Sequence, residues 1–266
     1  MRLCSIASGS SGNCIYVGSE ATHLLVDVGI SGKRTECGLH TLGITGADLD
    51  GILVTHEHMD HINGLGVMAR KYNVPIYATK GTIEAIKECT TIGRIEDSLF
   101  REVYEDEKLI IKDLTVNPMR ISHDAAQPVA YRIGYGSKRV GICTDLGVYN
   151  DYTVECLKGM DAVLLEANHD VNMLQVGPYP YYLKQRILGD KGHLSNENSG
   201  RLLGRILHDG LQTILLGHLS KENNLPELAY EAVRMEITMG DNPYNGGDFR
   251  LMVAGRNEVS PIINIA

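Results

Sequence analysis

Short apolar runs recur along the chain with the length and the bounding residues of buried strands. They lie at 3–7, 14–17, 24–28, 51–55, 75–78, 109–116, 129–133, 140–143, 162–165, 213–216 and 250–253. Helical spacing of apolar positions alternates with them, around 62–72, 81–88, 180–188, 197–208 and 226–239. The pattern predicts an α/β fold with two strand-rich halves, which suits two stacked sheets with helices outside. No low-complexity tract or linker-like stretch interrupts it, so one domain over residues 1–266 is expected.

The first half carries Thr55-His56-Glu57-His58-Met59-Asp60-His61 directly after the apolar run Gly51-Ile52-Leu53-Val54. A loop at the C-terminal end of a buried strand is where α/β folds usually place chemistry. Neutral imidazole nitrogens and carboxylate oxygens are ligands for Zn(II), Mn(II) or Fe(II), and four of them on one short loop can serve two ions. The spacing is not that of a helical His-Glu-x-x-His protease, because the position four after His56 is Asp60.

The loop resembles the H-x-H-x-D-H signature of the metallo-β-lactamase-fold hydrolases. That resemblance implies a four-layer αββα sandwich with a two-metal site at its edge. It also implies further roles, in family order: Asp27 supports the histidine loop, His123 completes the first metal, Asp145 bridges, and His218 closes the second. On this likeness His56, His58 and His123 hold one ion, Asp60, His61 and His218 the other, and Asp145 both. Asp27 is then a partner that orients a histidine rather than a ligand. Asp60 also orients a metal-bridging hydroxide, the expected nucleophile. Taken singly these residues say little, since a strand-end Asp is usually a turn or cap residue and a lone His a satisfied polar group.

Metals alone do not choose a substrate, because this fold cleaves lactams, thioesters, lactones and phosphodiesters. Leu165-Glu166-Ala167-Asn168, Gly192-His193-Leu194-Ser195-Asn196 and Gly217-His218-Leu219-Ser220 are similar to the RNase Z arrangement. By that likeness Glu166 orients His193, which donates a proton to the leaving alkoxide. The other reading of His193 is a residue just ahead of a helix N-cap at Ser195. The likeness extends to the YycJ (WalJ) branch of the superfamily, carried by Ser8-Gly9-Ser10-Ser11-Gly12-Asn13, Ile121-Ser122-His123-Asp124-Ala125, Glu166-Ala167-Asn168-His169-Asp170 and Gly177-Pro178-Tyr179-Pro180. That branch implies 5′-to-3′ exonuclease activity on DNA. The glycine-serine stretch is either a tight turn or a cradle of backbone N–H groups for a phosphate. Between Tyr181 and His193, Lys184, Arg186 and Lys191 are candidate phosphate contacts, and Tyr181 or Tyr182 can stack on a base. An amphipathic surface helix explains the same residues.

Composition adds limits. With 43% hydrophobic and 22% charged residues the chain reads as an ordinary globular protein. No apolar run reaches the ~18–20 residues of a membrane span and no export signal is recognisable, so a cytoplasmic location without membrane attachment is expected. The net charge of −8 argues against broad adhesion to nucleic acid, though bound metals can provide a local positive field. The six cysteines form no C-x-x-C pair, so reduced thiols are expected. His23, His40 and His208 read as surface or locally bonded residues, while His169 is placed to line the site or to pack. Cys143 is expected to share a strand face with Asp145, with core packing as its main role.

The resulting expectation is a hydrolase with two divalent ions (Zn, Mn or Fe) acting on nucleic acid, DNA first. Oligomeric state is left open. The alternatives are a thioester or lactone hydrolase of the same fold and a non-catalytic metal-binding interaction protein. A glyoxalase-II-like enzyme calls for a helical extension where residues 248–266 look strand-like. A flavo-diiron protein calls for Glu at position 58, which is His, and a β-lactamase is disfavoured by Asp60 and the Glu166–His193 pair. Residues 145–218 leave no room for the inserted domain of RNase J-type nucleases, and no tRNA-binding arm is visible.

Overall fold

The structure, a computed structural model, describes residues 1–266. In chain order its strands are β1 (Arg2–Ala7), β2 (Cys14–Gly18), β3 (His23–Val26), β4 (Gly51–Leu53), β5 (Ile76–Ala78), β6 (Phe100–Glu102) and β7 (Leu109–Ile111). They continue as β8 (Leu114–Arg120), β9 (Val129–Tyr135), β10 (Lys138–Cys143), β11 (Ala162–Glu166), β12 (Thr213–Gly217), β13 (Arg250–Val253) and β14 (Ile263–Asn264). The α-helices are α1 (Gly32–Thr41), α2 (Met59–Ile62), α3 (Leu65–Tyr72), α4 (Lys80–Glu88), α5 (Asp151–Leu157), α6 (Val171–Val176), α7 (Tyr181–Leu188), α8 (Asn196–Ile206) and α9 (Pro226–Met239).

The strands form two seven-stranded sheets, ordered β14-β1-β2-β3-β4-β5-β6 and β13-β12-β11-β10-β9-β8-β7. Each sheet is antiparallel on one side and parallel on the other, from β3 to β6 and from β10 to β13. Period-two alternation sorts the side chains into layers. In β3, Leu24 and Val26 face the other sheet and meet Tyr131, Ile133, Val140, Ile142 and Leu164. Leu25 faces outward with Ile52 and Ile76, against Leu39 of α1, Met68 of α3 and Ile83 of α4. On the second sheet Val163, Leu165 and Leu216 pack against Val154 of α5, Leu202 of α8 and Val233 of α9. The result is helix, sheet, sheet, helix, as the likeness implied.

Several local expectations are corrected. The run 109–116 is two strands: Lys112, at φ 50°, turns the chain between β7 and β8. The strand expected over 24–28 ends at Val26 because Asp27 adopts φ 62°. The helix expected over 62–72 is split into α2 and α3. Asp145 lies beyond β10 at φ 58°, so strand alternation does not put it on the face of Cys143, which packs in the outer core of its sheet. Helices α1, α5 and α6 and strand β6 were not anticipated. All six cysteines are free.

Candidate metal centre

The parallel arrangement brings the C-terminal ends of β3, β4, β10, β11 and β12 to one edge of the sandwich. Asp27, the histidine loop, Asp145, Glu166 and His218 end or follow those strands. Asp27, Asp145 and His218 all have left-handed backbones, at φ 62°, 58° and 55°. Non-glycine residues rarely adopt that region, and such strain concentrates where surrounding structure forces a side chain into a working position. Gly29 lets the loop close over β3: a Cβ there would come within 1.6 Å of the Asp60 carbonyl oxygen. No larger residue fits.

Four groups of ligand atoms result, each within 4.8 Å among themselves: His56, His58 and His123; Asp60, His61 and His218; His56, His61 and Asp145; and Asp145, Glu166, His193 and His218. Asp145 lies between the first two, with one carboxylate oxygen 3.1 Å from His61 Nε2 and the other 3.7 Å from His123 Nε2 and 3.4 Å from His218 Nε2.

Outer partners fix which nitrogen faces inward for His56, His61, His123 and His218. His61 Nδ1 donates to Asp27 at 2.8 Å, leaving Nε2 for the centre. The Thr55 hydroxyl donates to Asp27 at 2.8 Å and accepts from His56 Nδ1 at 3.0 Å. His123 Nδ1 donates to the Gly192 carbonyl at 3.1 Å, and its Nε2 lies 3.3 Å from His58 Nδ1. The Nε2 of His56 and one oxygen of Asp145 are buried with no hydrogen-bond partner. Unpaired buried polar atoms are costly. Inward-facing imidazole lone pairs around a carboxylate are the donor set of a divalent cation, so these residues fit one.

Charge differs between the groups. Burial holds His56 well below the ordinary histidine value and lowers His123 as well. His61 and His218 are equally buried, which alone would depress them. For His61 the carboxylates Asp145, Asp27 and Asp60 override burial and hold it well above the ordinary value. Asp145, Asp60 and Glu166 do the same for His218, raising it to about 10.

Glu166 is fully buried. One of its oxygens accepts from His193 Nδ1 and from His218 Nδ1, both at 2.8 Å. The other accepts from the backbone N–H groups of Leu146 and Leu194. Burial pushes this carboxyl upward, but the charges of His193 and His218 and their hydrogen bonds to it bring it down to about 2. The same carboxylate holds His193 above the ordinary histidine value against burial. Ser195 caps α8, so His193 does lie just ahead of a helix N-cap, and it is bonded to Glu166 as well.

Two motifs noted in the sequence take roles in the site that their residues alone did not indicate. The Ser8–Asn13 turn braces the ligands from behind: the Ser8 hydroxyl accepts from the His218 N–H at 2.9 Å, and the Asn13 N–H donates to the Asp60 carbonyl at 2.8 Å. The Asn13 amide nitrogen also sits 3.3 Å from His61 Nε2. Its pattern was visible, but these partners are distant in sequence. Asn168 donates to the His218 carbonyl at 2.9 Å and lies within the Glu166–Asp170 motif.

A cleft of about 240 Å³ opens over the centre, lined by His58, Asp60, Asp145, His193, His218 and Arg186 among others. Arg186 forms a two-pronged ion pair with Asp124, at 2.5 and 3.1 Å. Lys184 and Lys191 do not line the cleft, and the Lys184 ammonium donates to the Gln175 carbonyl. Tyr181 and Tyr182 project from α7, 77% and 74% exposed. His169 is 1% exposed with neither ring nitrogen partnered, and burial lowers it to about 4. It packs rather than lines the cleft.

A model of the beta-lactamase superfamily domain matches residues 22–212. The chain belongs to the beta-lactamase superfamily. It is 40% identical over 261 residues to exodeoxyribonuclease WalJ of Streptococcus pneumoniae, covering 98% of this chain and 96% of that protein. Exodeoxyribonuclease YycJ of Bacillus anthracis is 43% identical over 229 residues, 86% of each chain. Among solved structures, the metallo-β-lactamase fold protein YhfI of Bacillus subtilis superposes with a TM-score of 0.71 at 18% identity, over 97% of this chain and 98% of that one, which concerns the fold alone. With this membership and these relatives, the superfamily member described here is a metal-dependent hydrolase. No helix is long and apolar enough to cross a membrane.

Proposed function

We propose that the chain is a DNA exonuclease that works from a 5′ end with two divalent ions. The observation that carries this reading is the Glu166–His193 pair, bonded at 2.8 Å at the edge of both ligand groups. A leaving group as poor as a nucleotide alkoxide needs a proton, whereas a thioester's thiolate does not. The names of the two near-full-length relatives support DNA as the polymer.

In this reading His56, His58 and His123 would hold one ion, Asp60, His61 and His218 the other, and Asp145 is placed to serve both. Divalent ions bound there would lower the pKa of water and offset negative charge on a phosphodiester. Asp60 orients the nucleophile. Asp27 fixes the ring of His61 directly and that of His56 through the Thr55 hydroxyl. Glu166 holds Nδ1 of His193, which leaves Nε2 to give its proton to the departing oxygen. The raised affinity of His193 for a proton keeps that proton available near neutral pH.

Arg186 contacts a substrate phosphate inside the cleft, Lys184 and Lys191 contact phosphates farther along the strand, and Tyr181 or Tyr182 stacks on a base. Neutralising Lys184, Arg186 and Lys191 together raises KM on DNA. It also reduces the slope of log affinity against log salt by roughly one unit per lost contact. Kinetics on an oligonucleotide across a salt series, run beside a small phosphodiester, test this. An unchanged salt slope removes these residues from the substrate path.

A further inference from the structure

On the outer face of the second sheet, away from the metal centre, a concavity of about 410 Å³ is bordered by Lys108, Arg132, Arg139, Lys158, Asn117 and Glu155 among others. Period-two alternation aims Arg132 there, because its neighbours Tyr131 and Ile133 point into the core between the sheets. Arg139 begins the exposed face of β10, opposite Gly134, while Asp145 follows the other end of that strand. Six residues of extended chain separate them by roughly 20 Å. The two sites are distinct.

The concavity carries four cationic side chains in a chain of net charge −8. Of these only Lys158 is ion-paired, to Glu155 at 2.5 Å. The Arg132 Nε is buried with no acceptor. A guanidinium N–H withdrawn from water without an acceptor is costly and calls for an anionic partner. The border has no aromatic ring on which a base or sugar could stack, and its apolar members are Ile133 and Met160. Recognition there is of charge and hydrogen-bond geometry. Arginine's fork and lysine's point charge together favour phosphate oxygens.

We propose that this concavity is a second phosphate-binding site, seating phosphate groups against the uncompensated charges of Lys108, Arg132 and Arg139. Those groups come from a stretch of nucleic-acid backbone or from a free phosphate species. The backbone source rests on the nuclease reading above; the free-phosphate source does not.

The test uses the metal-loaded full chain, an uncleavable phosphorothioate oligonucleotide followed by fluorescence anisotropy, and inorganic phosphate followed by its effect on the melting temperature. Arg132→Gln with Arg139→Gln is compared with Glu155→Gln, which removes the lone carboxylate of the border and frees Lys158. For a backbone site the double variant binds the oligonucleotide about 10-fold or more weakly, with a shallower salt dependence, and Glu155→Gln binds it more tightly. For a free-phosphate site oligonucleotide affinity is unchanged, and the phosphate-dependent rise in melting temperature shrinks in the double variant and grows in Glu155→Gln. Circular dichroism verifies that each variant is folded. Unchanged oligonucleotide and phosphate binding in both folded variants overturns the proposal. The nuclease reading is scored separately, by whether the unsubstituted chain cleaves DNA at all.

Discussion

The two ligand groups at the sandwich edge are built from similar residues but sit in opposite electrostatic settings. Around His56, His58 and His123 the outer partners are a hydroxyl and a backbone carbonyl, and burial keeps His56 and His123 neutral. Around His61 and His218 the outer partners are Asp27 and Glu166, with Asp60 and Asp145 beside them, and both imidazoles are driven toward the protonated form. The first group offers lone pairs and little charge. The second concentrates carboxylates that positive charge must offset, from protons or from a cation. Asp145 places a carboxylate oxygen beside each group, so it is where the difference between the groups can be probed.

Asp145→Ala should have the largest effect, lowering metal content in both groups and reducing turnover below detection. His218→Ala should empty the carboxylate-rich group preferentially and leave the three-imidazole group loaded. Elemental analysis after reconstitution with Mn(II) or Zn(II) reads both outcomes. A variant lacking Asp145 that keeps a full complement of metal would show that the groups are independent.

His193→Ala sharpens the contrast between binding and proton transfer, because His193 shares Glu166 with a metal-group residue yet belongs to neither trio. Both ions should remain bound, and turnover of a substrate with a poor leaving group should fall by about 10²–10⁴-fold. An activated ester, whose leaving group departs without a proton, should be affected much less. Equal losses on both substrates would remove His193 from the acid role.

His169 extends the comparison to a buried histidine whose ring nitrogens have no hydrogen-bond partner, and the effect expected there is smaller. Its folded-state value of about 4 lies below the ordinary 6.5, so unfolded chains take up this proton first as pH falls. Its contribution to stability is therefore complete above pH 6.5 and is lost as pH drops toward 4. The loss amounts to about 3 kcal/mol at most. Urea denaturation of wild type and His169→Leu across that range should show a shallower pH slope in the variant. Parallel slopes would mean that other groups set the acid limit.

The contrast between the groups also explains what could be read from the sequence. His56, His58, Asp60 and His61 lie on one loop, so their spacing along the chain is already their spacing in space. Asp145, Glu166 and His218 are single residues at strand ends, recognisable through family resemblance and not through any local pattern. The sharing of Glu166 between His193 and His218 joins residues 27 and 52 positions away from it, and nothing near Glu166 announces the second partner. Asn13 was hidden for the same reason, since its partners at Asp60 and His61 lie more than forty residues on. In the fold, apolar runs located most strands because the sandwich buries them on both faces. Helix α1 escaped notice because it contributes Leu39 as its one large core side chain and approaches β1 closely through Gly38, which abuts Ile6. The turn at Lys112 was lost because apolar residues flank it on both sides and its left-handed backbone has no glycine to mark it.

The most direct measurement is a time course of DNA digestion by the purified, metal-loaded chain, with substrates labelled at either the 5′ or the 3′ end and a chelator control. The account predicts that a 5′ label is released early as a small product, that a 3′ label persists on progressively shorter strands, and that the chelator stops both. Intact DNA and RNA alongside rapid cleavage of a thioester or lactone would contradict it.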